Sequence, residues 1–341
     1  MTLLVTGGNG FVMSNLARHW LESDTQARCV ILDSSPPDAI ALRFFQPVAD
    51  RLRFIEGDVT EPRTWAQTLA AHGITHVAHG ATVTPIARGT ITEARREPEA
   101  DDPRRVIDVS VMGTVAVLDW ARQRQGLQRF LYVSSGAVYL DDGPAVAGAP
   151  LPEDGYVGPR ALYGISKQAS ELIVARYADL FRLDVVSVRL PSMFGPMDRK
   201  TRSRDYQSAM HRLAHLAVAG SRLRVNTLDG VGDYLHAGDA AVAMALLLRA
   251  PTLRHRTYNL ASGEATRTRT LAQYAKEKAP GFTFETAPAD EANLLQDERL
   301  TGGKWGAYDI SRLGQEFGWR SRPLREALHS YMDWIASFEG R

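Results

Sequence analysis

The chain predicts an α/β fold, a parallel sheet with helices on both faces, followed by a smaller C-terminal lobe. Three observations carry that prediction. Apolar, strand-like runs alternate with helical periodicity over roughly the first 190 residues, the first of these runs breaks into glycines, and the pattern changes after Pro191. Alternation of this kind joins parallel strands through crossover helices, giving a doubly wound, Rossmann-type sheet.

Strands are expected near 2–6, 28–33, 52–56, 75–80, 129–134 and 183–190, with helices near 10–22, 61–71, 104–125 and 158–181. The first run, Leu3-Leu4-Val5-Thr6, gives way to Gly7-Gly8-Asn9-Gly10 and then to Phe11 through Leu21 with helical spacing: strand, turn, helix start. Glycines there let the backbone approach a pyrophosphate, and a helix N-terminus offers free N–H groups and partial positive charge. An ordinary tight turn is the plainer alternative. The second strand, Cys29-Val30-Ile31-Leu32, ends in Asp33. A carboxylate in that place accepts both ribose hydroxyls of an adenosine and repels a 2′-phosphate, so NAD is favoured over NADP. Ligands of such sheets bind beyond the carboxyl ends of the strands, where Gly7, Asp33, Asp58, Gly80, Ser135 and Pro191 all fall. Residues 1–191 are therefore expected to form the nucleotide-binding domain, with 227–250 returning to it, and 192–226 and 251–341 the substrate lobe.

Tyr163 and Lys167 stand four residues apart, downstream of Ser134-Ser135. On a helix that spacing shares a face, which brings an ammonium one turn from a phenol. A phenol with pKa near 10 needs roughly 4 kcal/mol of help to act as a base at neutral pH, and a fixed cation supplies much of it. With Ser135 holding the reacting oxygen, the set suits proton transfer at a carbinol while a hydride moves to or from a nicotinamide. Tyr and Lys at this spacing also occur on ordinary surface helices, so the flanking motifs decide.

Composition excludes several classes. The 341 residues are 44% hydrophobic and 23% charged with net charge +1, enough for a large core and no reason to expect nucleic acid or a membrane surface as partner. The single Cys29 sits in an apolar strand, and the apolar run Ala240 to Leu248 is too short to span a bilayer. With the first strand at the start of the chain, a cytoplasmic enzyme is expected. His211 and His215 have i, i+4 spacing, but Arg212 stands where a zinc-protease helix has Glu, so no metal is expected. Two charged segments flank the expected pocket. Arg88 to Arg105 reads as a solvated loop, whereas the run Arg199-Lys200-Thr201-Arg202-Ser203-Arg204 makes Arg202 and Arg204 candidate clamps for a carboxylate or phosphate.

Taken in order, the glycine turn, Asp33, Ser135, Tyr163 and Lys167 make the chain resemble the extended short-chain dehydrogenase/reductase family, the NAD-dependent epimerase/dehydratase group. The likeness spans nearly the whole chain through Gly57-Asp58-Val59, His79-Gly80-Ala81, Val133 to Tyr139, Tyr163 to Lys167, Arg189 to Pro196, Asp233 to His236 and Phe317-Gly318-Trp319. It implies Ser135, Tyr163 and Lys167 as the catalytic set, Lys167 lowering the Tyr163 pKa and holding the nicotinamide ribose. It implies NAD held by Gly7, Asn9, Gly10, Phe11, Val12, Asp33, Asp58, Val59, Gly80, Ala81, Tyr163, Lys167 and Pro191. The expected substrate side is Thr82, Ser135, Ser192, Arg202, Arg204 and, at the rim, His236. The likeness also implies a homodimer paired through the helices near 104–125 and 158–181.

Departures bear on substrate more than on fold. Met13 replaces the third glycine of the turn, which predicts a wider turn, and Ser110 stands where the family has Asn. Ser192 and Gly232 replace an Asn and an Arg that nucleotide-sugar members place near the diphosphate, and Gly136-Ala137 replace the Asp-Glu pair of sugar dehydratases. The leading expectation is an NAD-dependent oxidoreductase acting on a secondary alcohol or ketone of a polar small molecule, with an anionic sugar-derived or hydroxy acid in view. The alternative is a nucleotide-sugar epimerase that retains its NAD through a transient keto intermediate. A third is a non-catalytic NAD-binding regulator, against which the intact Ser135, Tyr163 and Lys167 argue.

Overall fold

The computed structural model describes residues 1–83, 99, 102–139, 149–201, 204, 207–296 and 306–339; the charged stretch 88–98 and Arg202 lie outside them. Seven parallel strands form the main sheet: β1 (Thr2–Thr6), β2 (Arg28–Asp33), β3 (Leu52–Glu56), β4 (His76–His79), β5 (Arg129–Ser135), β6 (Val185–Leu190) and, late in the chain, β11 (Thr257–Asn259). Their spatial order is β11-β6-β5-β4-β1-β2-β3. The order reverses between β1 and β4, which opens a crevice at the strands' carboxyl ends. The expected parallel, helix-covered sheet is thus present. All six residues of β6 and all but the first and last of β2 are buried, as strands covered on both faces require.

The helices are α1 (Phe11–Glu22), α2 (Ala39–Phe45), α3 (Pro62–Ala70), α4 (Pro103–Ile107), α5 (Gly113–Ala121), α6 (Leu162–Phe181), α7 (Ala209–Val218), α8 (Ala237–Arg249), α9 (Thr268–Lys278), α10 (Ser311–Phe317) and α11 (Leu324–Trp334). Where one helix was expected near 104–125, α4 and α5 are separated by a π-helical turn at Asp108–Met112, and Arg105 belongs to α4 instead of a solvated loop. The remaining strands are short: β7 (Ser192–Phe194), β8 (Arg222–Val225), β9 (Val231–Gly232), β10 (Tyr234–His236), β12 (Thr266–Arg267) and β13 (Thr283–Thr286).

Two cores lie on the sheet and a third lies off it. One face buries α1 and α8 with Trp20, Phe45 and Met244; the other buries α3, α5 and α6 with Trp65, Trp120 and Tyr132. Phe194, Met210, Phe282, Leu328 and Tyr331 form a separate core from α7, α9, α11 and β8. The C-terminal division expected at 251 does not follow these cores. Strand β11 extends the main sheet beside β6, and Leu313 and Trp319 pack into the first core. Three residues, Thr257-Tyr258-Asn259, are too few to show a strand period in sequence. Among the described residues no helix is long and apolar enough to cross a membrane.

Candidate functional site

A cavity of about 710 Å³ opens across the carboxyl ends of the strands. Its nucleotide end is built by the first strand-to-helix turn. Gly7 has φ of +69°, and a Cβ there would lie 3.0 Å from the Ala81 backbone, so glycine is required. Gly10 precedes α1 with no side-chain cap, which leaves the first-turn N–H groups without a side-chain acceptor beside the cavity. That is the arrangement an anion takes up. Asn9, Phe11, Val12, Asp58, Val59, Gly80, Ala81 and Pro191 also line the cavity. The Asp33 carboxylate accepts from Asn9 N at 3.0 Å and Ser35 N at 3.2 Å. Burial raises its pKa, and those N–H groups together with the Arg199 cation oppose the rise. Each Asp33 oxygen keeps a lone pair for a ribose hydroxyl. Asp58 is bridged by Arg105 of α4 at 2.7 Å.

The turn accommodates Met13 by borrowing space from Gly80. A Cβ on Gly80 would stand 2.4 Å from the Met13 Sδ, and Met13 is only 4% exposed. Gly10 N still donates to Gly7 O at 3.0 Å, so the bulkier residue is absorbed across the turn, between α1 and the end of β4.

At the other end, β5 delivers Ser135 and the first turns of α6 deliver Tyr163 and Lys167, all lining the same cavity. Gly164 lets α6 abut the turn after β5, since a Cβ would meet Ala137 O at 2.4 Å. Glu99 supplies an acceptor for the uncapped helix start, taking Leu162 N at 2.7 Å. The Lys167 Nζ donates to Val133 O at 2.9 Å and lies 5.2 Å and 5.7 Å from the Tyr132 and Tyr163 ring centres. Burial drives the Lys167 pKa down to about 7, opposed by Glu171. Glu171, one turn further along α6, is itself pinned by a bidentate pair with Arg189 at 3.0 Å and 2.7 Å. Burial raises the Tyr163 pKa; the Ser135 hydroxyl and the Arg204 cation lower it.

Beyond Tyr163 the lining comes from Thr82, Ser192, Met193, Thr201, Arg204, Ser208, Tyr234 and Gln296. His236, expected at the rim, is instead outside the lining. It is buried with its edge against Phe194, and its Nδ1 is hydrogen-bonded by Gly238 N at 3.0 Å and Arg322 at 2.9 Å. Tyr234, two residues earlier in β10, does line the cavity. Sequence reasoning also passed over Arg105 and Arg199. Arg199 reaches from the lobe to Asn9 O at 3.2 Å and Asp38 at 2.9 Å, while Asn15 donates to Pro196 O at 2.9 Å. The run 196–199 therefore straps across the nucleotide turn, with Met197 at φ of +69°, a conformation costly for a side chain without close support. The cation run was visible in sequence, but which cation reached which wall was not.

Among the described residues no group of three His, Cys, Asp or Glu is placed to hold a metal ion. The ring of His211 lies 3.8 Å from that of His215, and its Nδ1 meets the Tyr331 hydroxyl at 2.9 Å.

These features agree with what the chain is similar to. Over 332 residues it is 26% identical to a dTDP-glucose 4,6-dehydratase of Actinoplanes sp., covering 94% of this chain and 93% of the relative. It is 25% identical to a UDP-glucose 4-epimerase of Erwinia amylovora, covering 98% and 97%. The fold matches the crystal structure of a Thermotoga maritima UDP-glucose 4-epimerase with UDP-glucose at a TM-score of 0.77 and 19% identity, covering 98% of each chain. The model of the NAD dependent epimerase/dehydratase family matches residues 3–261, and the chain belongs to that family.

Proposed function

We propose that the protein is an NAD-dependent oxidoreductase that interconverts a secondary alcohol and a ketone on a polar small molecule. The observation that carries the reading is the meeting of Ser135, Tyr163 and Lys167 in one cavity with the glycine turn and Asp33. NAD, when bound, supplies the hydride acceptor and donor. Ser135 would orient the substrate oxygen, and Tyr163 would take its proton as the phenolate or return it as the phenol. Lys167, held by Val133 O, fixes the ribose next to the phenol and contributes positive charge when protonated. Asp33 selects a ribose with free hydroxyls. Tyr163→Phe should lower turnover by roughly 10²- to 10⁴-fold while NAD affinity persists. Undiminished turnover in that variant would remove the phenol from the reaction.

The second reading, epimerisation with retained NAD, is favoured by the strap. Arg199 ties the turn that would hold the nucleotide, through Asn9 O, to Asp38, a contact that would slow release of a bound nucleotide. Gel filtration followed by nucleotide analysis decides between the two. NAD carried through at close to one per chain in the wild type, and lost in Arg199→Ala, supports retention. A protein that emerges free of nucleotide supports the dehydrogenase. Dehydration, the activity named for the Actinoplanes relative, is opposed by Gly136. The Tyr308 hydroxyl lies 1.6 Å from where its Cβ would stand, so an acid there has no room.

A homodimer belongs to the same reading. Ile165 and Leu172, two turns apart on α6, are 42% and 67% exposed. Exposed apolar side chains on one face of a helix are what an interface covers. Sedimentation velocity on the wild type and Leu172→Glu tests it; a monomeric wild type would refute it.

A further inference from the structure

We infer that Arg204 recognises a single carboxylate on the substrate, so that the protein acts on a hydroxy acid or sugar acid in preference to a nucleotide sugar. The inference rests on the hydride-transfer reading of this cavity and names its substrate class.

Arg204 lines the cavity with Ser135, Tyr163 and Ser192. It is held from three sides. Its Nη2 donates to Asp198 at 2.8 Å, its guanidinium carbon lies 5.1 Å above the Phe11 ring, and its backbone exchanges hydrogen bonds with Thr201 at 2.8 Å and 3.2 Å. Asp198 is fully buried and is fixed in turn by Ser208 N at 3.0 Å. A cation locked in this way loses little freedom when an anion binds, which is what a recognition group needs. Its charge is among the influences that lower the Tyr163 pKa, and both residues line the one cavity.

The charge balance selects a compact monoanion. Among the cations of the described lining, Arg105 is paired with Asp58 and Arg199 with Asp38 at the nucleotide end, and Lys167 is held by Val133 O. Only Arg204 serves the substrate end, and Asp198 offsets part of its charge. A diphosphate asks for more. The place where nucleotide-sugar members carry an arginine is Gly232, and a Cβ there would already stand 3.0 Å from the Tyr234 ring, which takes up the space facing the cavity. A guanidinium edge matches the two oxygens of a carboxylate. The plainer role for Arg204 is to fasten its loop through Asp198, and the test separates the two.

The experiment measures NAD reduction by the full chain, wild type, Arg204→Ala and Arg204→Lys. Substrates are hydroxy acids and aldonates, each paired with its amide or alditol, plus phosphorylated sugars and UDP-glucose; NAD affinity is titrated separately. In the wild type kcat/KM should favour the carboxylate over its amide by roughly 10- to 100-fold, mostly through KM. Arg204→Ala should collapse that ratio and Arg204→Lys restore part of it, with NAD affinity within about twofold. A loop fastener would change both members of each pair alike and leave the ratio standing, which overturns the inference. So would equal use of acid and amide by the wild type, better turnover of UDP-glucose or a sugar phosphate, or weaker NAD binding in Arg204→Ala with discrimination intact. If no compound gives net NAD reduction, the dehydrogenase reading fails by itself. Thermal shifts of the NAD-loaded protein then judge Arg204: stabilisation by carboxylates in the wild type but not in Arg204→Ala supports the anchor, and no stabilisation overturns it.

Discussion

Replacing Met13 by the glycine usual in this family should destabilise the protein, because Met13 and Gly80 are two halves of one packing solution. Met13 is 4% exposed, and its thioether fills the space a side chain at position 80 would take. Truncating a buried Met costs about 2–5 kcal/mol, and glycine near a helix start adds up to about 1 kcal/mol. Met13→Gly should therefore lose roughly 2–6 kcal/mol. Gly80→Ala puts a Cβ 2.4 Å from Sδ and 2.5 Å from Cγ of Met13, an overpacking worth about 1–3 kcal/mol. In the double variant the new methyl enters the space Met13 has left, so the second step should be neutral or stabilising and the coupling about 1–3 kcal/mol. Urea unfolding followed by tryptophan fluorescence on the four proteins measures it. Additivity within about 0.5 kcal/mol, or a Met13→Gly variant more stable than wild type, would refute the exchange of space.

Two further outcomes are expected. Burial lowers the pKa of His79 to about 3, with Lys167 adding to the effect, while its ring is held between Thr6 and Thr114 at 2.7 Å and 3.0 Å. A histidine depressed in the folded state contributes stability that is complete above its unfolded pKa, near 6.5, and is lost as pH falls towards 3. The urea midpoint should thus drop between pH 6.5 and 5, and drop less steeply in His79→Asn; the buried carboxyls Asp33 and Asp233, whose pKa values burial raises, act in the opposite sense and cancel in that comparison. An identical slope in His79→Asn would count against it. Separately, Asp33→Asn should weaken NAD binding by roughly 10- to 100-fold, from loss of charge-assisted hydrogen bonds, and narrow the preference over NADP. Titrations showing both nucleotides weakened equally would argue that Asp33 does not read the ribose.

Local patterns made the nucleotide half readable. Leu3 to Gly10 is a strand that must break where glycines begin, Asp33 follows a buried run that must end, and Tyr163 and Lys167 share a helix face wherever that helix lies. Each of these depends on neighbours within a few residues, so the parallel sheet, the turn and the candidate base followed from sequence. The short strand β11 did not, because three residues carry no period and its place beside β6 is set by pairing. Tertiary packing likewise decided which cation does what. Arg199 turned back to Asp38 and the glycine turn, Arg204 turned to Asp198 and the cavity, and His236 turned away to Arg322. Charge in a sequence states how many ionic groups exist, whereas their partners depend on which walls the fold brings within hydrogen-bond reach. For the same reason the composition of the turn disclosed Met13 as an exception, but only the end of β4 showed that Gly80 makes room for it.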